Sequence, residues 1–532
     1  MFGREILRLM ASKKKTVVIG IDGCPLFLLQ NLCDKGKLPN ISHLMEEGIC
    51  GKLKSTNPPV SFPAWKSYAT GSNPESMGVF NFVDINLEKG DFRFNDSRSV
   101  QLPEIWDVLG EHDKRSLVVN MPGTTPPYEI PGVLVSGPFS DSLRTFPRRY
   151  SDKIISEIGE VKINPQHSRW EEFYKPREWL KEAYKCIKDK FRLAKLLLNN
   201  EKFDFLHLTI FHIDGIFHQF WSNEASPEKE VMKGLKLIDE GIGEIYTPDY
   251  NFFIISDHGH FPVRAQMDLN KWLVKRDFLK ISENGSFVER IAELLNLTRQ
   301  RIGKNPWIPI LRACKKISKG SGLPNKNLRR SMSWLIQNMN PESKSIANTG
   351  GSIHINRKRI GQDYEKFKQS IERELQEIHI PGSKTSFNVK QKDSADPFAP
   401  DLVLLPPRGA YTADGIHLKG NLWSLKGEIY DAQGCPLMSD HTREGTLIAS
   451  GPELKKDKSI SADITDVMPT ILHLLGCCIP EKVDGEVLDI FGEGTEPKKR
   501  GTTYERFEHE RKYAEGEGEE LIKKRLEELG YF

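Results

Sequence analysis

"FDFLHLTIFHIDGIFHQFW" (residues 203–221) decides the fold. Its first eight residues form an apolar, β-rich run of strand length, and no turn residue separates them from the stretch carrying Asp214 and His218. A strand that passes directly into a helix is the repeating unit of an α/β sandwich. In a helix the four-residue spacing puts Asp214 and His218 on one face, as a shared cation requires.

Reading outward, similar runs recur: "TVVIGI" (16–21), "SLVVN" (116–120), "GVLVS" (132–136), "NFFIIS" (251–256), "DLVLL" (401–405) and "GTLIAS" (445–450). Each reads as a buried strand. Long helical patterns lie between them, at 177–200, 226–246 and 465–476, the last with Thr465 as its expected cap. The predicted fold is therefore α/β, with a mostly parallel central sheet flanked by helices.

Composition excludes several classes. The 532 residues carry 76 basic and 73 acidic side chains, so the molecule as a whole is no polyanion binder. No apolar run reaches membrane-spanning length, and the N-terminal stretch lacks the pattern of a secretory signal. Eight cysteines occur without any C-x-x-C spacing, which points to a reducing cytoplasmic setting and leaves His and carboxylate as the metal ligands.

Functional groups in open α/β sheets gather beyond the carboxyl ends of strands. Those positions hold Asp22 after "TVVIGI", Asp214 and His218 after residue 210, Asp257-His258 after "NFFIIS", and His441 just before "GTLIAS". Singly, Asp22-Gly23 is an ordinary turn and His441 an ordinary surface histidine. Together, three Asp and three His supply N/O ligands for two divalent ions, which can stabilise both attacking and leaving oxygens of an in-line displacement at phosphorus. The nucleophile for such a step lies in "NPPVSFPAWKSYATG" (57–71), where Ser61 sits at or just before the cap of a short helix. Pro63 suits the first turn, Gly71 and Pro74 can end the helix, and its N-terminus favours an anion. An ion-bound Ser61 ionises near neutral pH without a separate base.

"VVIGIDG", "PPVSFPAWKSYATGSNPESMGVFNF", "FHIDGIFHQFW", "IISDHG" and "SDHTREGTLIASGP", in that order, resemble the alkaline phosphatase superfamily, and within it the type I phosphodiesterase/nucleotide pyrophosphatase branch. The resemblance implies an alkaline phosphatase-like fold. It also implies one ion held by Asp22, Ser61, Asp257 and His258, and a second held by Asp214, His218 and His441, commonly Zn2+ with Mn2+ as the alternative. Ser61 would carry a covalent phosphoryl or nucleotidyl intermediate during hydrolysis of phosphodiester or pyrophosphate bonds in nucleotide-type substrates. Asn81 lies one position from the family's phosphate-holding Asn and is the expected substrate donor. Met77-Gly78 stands where many relatives have a His-Gly pair. His207, His212, His260 and His354 match no ligand slot and are expected to support or pack. Sulfatases need an Arg where Trp65 stands, which argues against sulfate esters.

The expected organisation is a first catalytic part at 15–273, a helical basic insertion or cap at 274–350, a second catalytic part at 351–495 and a charged C-terminal helix at 496–532. Residues 289–330 hold eleven Lys or Arg against two Glu, a solvated face or a contact for nucleic acid or anionic lipid. Two other functions remain open: a phosphomonoesterase or phosphotransferase on the same scaffold, and a non-catalytic anion-binding module.

Overall fold

Strand Thr16–Ile21 lies at the centre of a nine-stranded sheet in the computed structural model, which describes residues 15–165, 176–281, 329–330, 332–412, 416–417, 421–429, 437–456, 458–491 and 511–513. The strand order is Lys458–Asp463, Ile49–Lys54, Glu444–Ser450, Asn251–Ile255, Thr16–Ile21, Phe205–Ile210, Ser116–Val119, Gly132–Val135 and Thr145–Phe146. Thr16–Ile21 runs parallel to both neighbours, as does Ser116–Val119. Glu444–Ser450 is antiparallel to the strands on either side, and the edge strand Thr145–Phe146 is antiparallel to Gly132–Val135. The mostly parallel α/β sheet read from the sequence is present.

Strand alternation sorts the side chains into two cores. Val17 is level with Leu206 on one side and Phe252 on the other, and all three enter one core with the helices Leu26–Asp34, Pro176–Asn200 and Lys229–Ile245. Val18 and Phe253 point the opposite way, into the core under the helices Ser61–Thr70, Ile105–Glu111 and Val467–Leu474. His207 takes a place on that second face. Tyr68 and Thr209 hydroxyls flank its two ring nitrogens at 3.0 and 2.7 Å, and burial pushes it down to about 3, so it is a neutral packing group.

The stretch 351–495 does not form one continuous half of the central sheet. Ser345–Asn348, Ser352–Ile355, Leu402–Leu405 and Asn388–Gln391 make a separate four-stranded antiparallel sheet with its own core, which includes Ile346, Ile353, Ile371 and Leu402. "DLVLL" belongs here, because an apolar run of strand length is equally suited to either sheet. Glu444–Ser450 and Lys458–Asp463 return the chain to the large one.

Within 274–350, the described residues include helix Met332–Asn338 and strand Ser345–Asn348. Residues 282–328, and with them nearly all of the basic stretch and the expected helical cap, lie outside the described residues. So does the expected C-terminal helix, apart from 511–513, where Tyr513 bridges to Tyr128. Thr465 does not cap the helix that follows it. It lies inside the turn Ile464–Asp466, where Asp463 and Asp466 form the capping box, because a carboxylate two positions earlier accepts the free amides. No described helix is long and apolar enough to cross a membrane.

Candidate active site

Three parallel strand ends deliver the acidic groups. Thr16–Ile21 ends on Asp22, Phe205–Ile210 leads into helix His212–Phe220 with Asp214 and His218, and Asn251–Ile255 ends just before Asp257 and His258. His441 arrives by another route: Ser439–Thr442 pairs antiparallel with Gly259–Pro262, setting His441 directly opposite His260. Gly23 follows Asp22 with φ +69, and a Cβ there would meet the His260 ring at 2.6 Å, so both conformation and space demand glycine.

Ser61 is the first residue of its helix, with Val60 at the cap and Gly71 (φ 65) ending it. The serine is wholly buried. Its Oγ is 3.0 Å from His258 Nε2 and 3.4 Å from Asp22 Oδ1. His258 Nε2 is also 3.5 Å from Asp22 Oδ1 and 3.2 Å from Asp257 Oδ2. On the other side, Asp214 Oδ1 lies 3.5 Å from His218 Nε2 and 3.2 Å from His441 Nε2, and those two nitrogens are 3.0 Å apart. The structure thus brings Asp22, Ser61, Asp214, His218, Asp257, His258 and His441 together. Asp214 faces both clusters, as it shares close ligand atoms with Asp22 and His258 as well.

Hydrogen bonding shows what these groups lack. His218 Nδ1 donates to Ser439 O, His441 Nδ1 to Pro59 O and His258 Nδ1 to Gly259 O. With each Nδ1 proton so used, the neutral form of each ring turns an Nε2 lone pair toward the carboxylates. Asp257 Oδ2 is buried with no hydrogen-bond donor at all. Burial, followed by the charges of Asp257 and Asp214, pushes Asp22 well above the usual carboxylate range, and burial likewise raises Asp257. Burial alone would also raise Asp214, but the His218 charge and hydrogen bonds from His260 and His441 hold it well below that range. Burial would lower His441, but its hydrogen bond to Asp214, the charges of Asp214 and Asp440 and the Pro59 carbonyl raise it to about 9, so with no ion bound this ring holds a second proton against the Asp214 carboxylate. Converging lone pairs and repelling carboxylates are the donor set of a divalent-cation site, and the residues fit that group.

Two side chains matter that the sequence analysis did not name as ligands, although it expected His260 to support or pack. Trp65 Nε1 donates to Asp22 Oδ2 at 2.7 Å, which leaves Oδ1 to face Ser61 and His258. The indole rests on Gly20, where a Cβ would lie 2.4 Å from Trp65 Cη2. Gly20→Ala should therefore shift the indole and Asp22 with it, at a cost of about 1–3 kcal/mol from overpacking. Thermal melts and metal retention should both fall; an unchanged melt would mean Trp65 has room to move. The second is His260, whose Nε2 is 2.7 Å from Asp214 Oδ1. The available signal was its two-residue spacing from His258, which in extended chain returns a side chain to the same face.

The remaining candidates make their hydrogen bonds outside the Asp/His cluster. Asn81 donates its amide to Thr349 O and accepts from Phe82 N, so it ties the loop after the Ser61 helix to the turn Thr349–Gly351. His212 contacts Asn164, and His354 is buried in the small sheet.

Comparison with known proteins bears on the fold and the family. No curated protein matches the chain. Among solved structures, phosphonoacetate hydrolase from Sinorhizobium meliloti 1021, in complex with phosphonoacetate, is similar at 14% identity and TM-score 0.52, covering 87% of this chain and 95% of that one. A multiply substituted form of the alkaline phosphatase PafA is similar at 12% identity and TM-score 0.51, covering 90% and 98%. At such identities the likeness is one of fold, here alkaline phosphatase-like. The sequence itself matches the family model "Type I phosphodiesterase / nucleotide pyrophosphatase" over residues 16–434, which takes in every expected site residue except His441. The chain belongs to that family of phosphoester hydrolases.

Proposed function

We propose that the chain is a two-metal-dependent hydrolase of phosphodiester or pyrophosphate bonds in nucleotide-type substrates, acting through a covalent phospho-Ser61 intermediate. The observation that carries this reading is the position of one buried alcohol, Ser61, against His258 and Asp22 at a helix N-terminus, beside a second His/Asp cluster. Asp22, Ser61, Asp257 and His258 would hold one ion, and Asp214, His218 and His441 the other. Bound divalent ions, zinc in the first instance, supply positive charge that favours the serine alkoxide and the developing charge on leaving and phosphoryl oxygens.

Ser61 Oγ then attacks phosphorus: the Oγ–P bond forms, the bond to the leaving oxygen breaks with its electron pair, and the serine proton passes to solvent. Water cleaves the Oγ–P ester and restores the alcohol. The helix N-terminus beneath Ser61 favours the phosphoryl oxygens. Trp65 keeps Asp22 in register, and Asn81, joined to the small-sheet turn at Thr349, is the proposed substrate donor.

A cytoplasmic location fits the six described cysteines, all free thiols. The test of function is a panel of bis-aryl phosphodiester, dinucleotide, aryl monoester and aryl sulfate. Diester or dinucleotide turnover should dominate, cease on chelation and return with Zn2+. Chelation should also lower the melting temperature, since an ion that binds only the folded state stabilises it by mass action. Monoester preference would move the chain to the phosphatase alternative, and salt-sensitive anion binding without turnover to the binding-module alternative.

A further inference from the structure

His260 is fully buried and stands against three elements of the Asp214 cluster. Its Nδ1 is 3.0 Å from Ser439 Oγ, and that hydroxyl is 2.8 Å from Phe217 O. A carbonyl can only accept, and a serine has one proton to give. The proton goes to Phe217 O, so His260 Nδ1 is the donor to Ser439 Oγ. His260 Nε2 then carries a lone pair, 2.7 Å from Asp214 Oδ1. Two acceptors at that distance repel each other unless a second ring proton or a metal ion lies between them. The same condition holds for His218 and His441, whose Nδ1 protons are bound by Ser439 O and Pro59 O. Asp214, His218, His260 and His441 offer one ligand atom each, all within 4.8 Å of one another.

We propose that His260 is a fourth protein ligand, which makes the Asp214 centre a three-histidine, one-carboxylate site. The inference rests on the two-metal reading above and alters its chemistry. Three imidazoles and one carboxylate would give this ion a complete set of protein donors, whereas the other set includes the reactive Ser61 oxygen, so this ion would be the more firmly held. Gly23, which has no Cβ, allows His260 to approach Asp214 so closely.

Stepwise dialysis of the zinc-loaded protein against a chelator, followed by elemental analysis, should give two classes of zinc, one resistant. In His260→Ala and His260→Gln the resistant class should lose affinity on the order of a hundredfold or more, a ligand loss exceeding what an outer hydrogen bond is worth. Should both variants fail to fold, 15N-histidine spectra of zinc-loaded wild type decide: four zinc-shifted Nε2 signals are expected, from His218, His258, His260 and His441. Three shifted signals, or unchanged chelator resistance in the variants, overturn the role of His260 while leaving the two-metal reading intact. Wild type that binds no zinc overturns that reading itself.

Discussion

Ser61→Ala is expected to lower turnover on the best phosphodiester by on the order of 10⁴-fold or more, the scale seen when a covalent nucleophile is deleted and the rest of a site remains. The substitution removes a single oxygen. Ser61 is the first residue of its helix, and its hydroxyl makes no capping bond there, since Val60 holds the cap and Ala64 N bonds to Val60 O at 3.0 Å. The helix should therefore form as before, with a change in stability below about 1 kcal/mol. His258 and Asp22 lose one neighbour each, but the Asp214 cluster does not touch the hydroxyl. Metal content should stay near the wild-type value. Acid quench during turnover, followed by peptide mapping, should find phosphate on the Ser61 peptide of wild type and none in the variant. Wild-type-like hydrolysis by Ser61→Ala would remove the covalent mechanism, whatever the metal content.

Much of this site is legible before any coordinates, for a physical reason. Parallel strands present their carboxyl ends on one edge, so Asp22, Asp214 and Asp257, each just past an apolar run, had to approach one another once the runs were paired. His218 follows from helical spacing. His441 is different: it reaches the site through antiparallel pairing of Ser439–Thr442 with Gly259–Pro262, two short segments without an apolar signature. Its place just before "GTLIAS" made it a candidate, but only the family resemblance joined it to Asp214 and His218. "DLVLL" shows the opposite failure. Its burial is real, but apolar content does not specify which sheet a strand joins, and Leu402–Leu405 pairs with Asn388–Gln391 in the separate four-stranded sheet. The antiparallel insertion of Glu444–Ser450 between two other strands was equally silent, because a strand buried on both faces reads the same in either direction. Trp65 was visible only as a residue where sulfatases need Arg; that its N–H would orient Asp22 depends on Gly20 leaving room beneath the indole.

The second large effect is expected outside the Asp/His cluster, at Glu104. Lys66 lies on the Ser61 helix with its ammonium 2.5 Å from Glu104 Oε1, and both side chains are completely buried. Tyr128 donates its hydroxyl to Glu104 Oε2, and Trp106 Nε1 donates to Tyr128 at 3.0 Å. Arg511 completes the group, 3.3 Å from Glu104 Oε2 and 2.5 Å from Asp107 Oδ2. Two cations and two carboxylates balance. Burial alone would raise Glu104, but Lys66 and Arg511 outweigh it and hold the carboxyl below its usual range. For Lys66, burial wins and lowers the ammonium, because it faces one close anion and the repulsion of Arg511.

Glu104→Gln keeps the shape and an acceptor oxygen while removing the charge, so an uncompensated cation stays in the interior. Breaking a buried pair from one side typically costs about 3–5 kcal/mol, whereas removing both charges together is often neutral. Glu104→Gln should thus melt well below wild type, and Lys66→Met with Glu104→Leu should recover most of the loss. The pH dependence carries a matching sign. A carboxyl whose folded value lies below its unfolded one contributes fully above the unfolded value and loses that contribution as pH falls through the folded one. Wild type should therefore lose stability on acidification more steeply than Glu104→Gln. Because Lys66 is on the helix that begins with Ser61, the single variant should also turn over more slowly below its melting temperature, and the apolar double variant should regain that rate. Equal melting of wild type and Glu104→Gln would mean that Lys66 gives up its proton at little cost, and that the helix is held by packing alone.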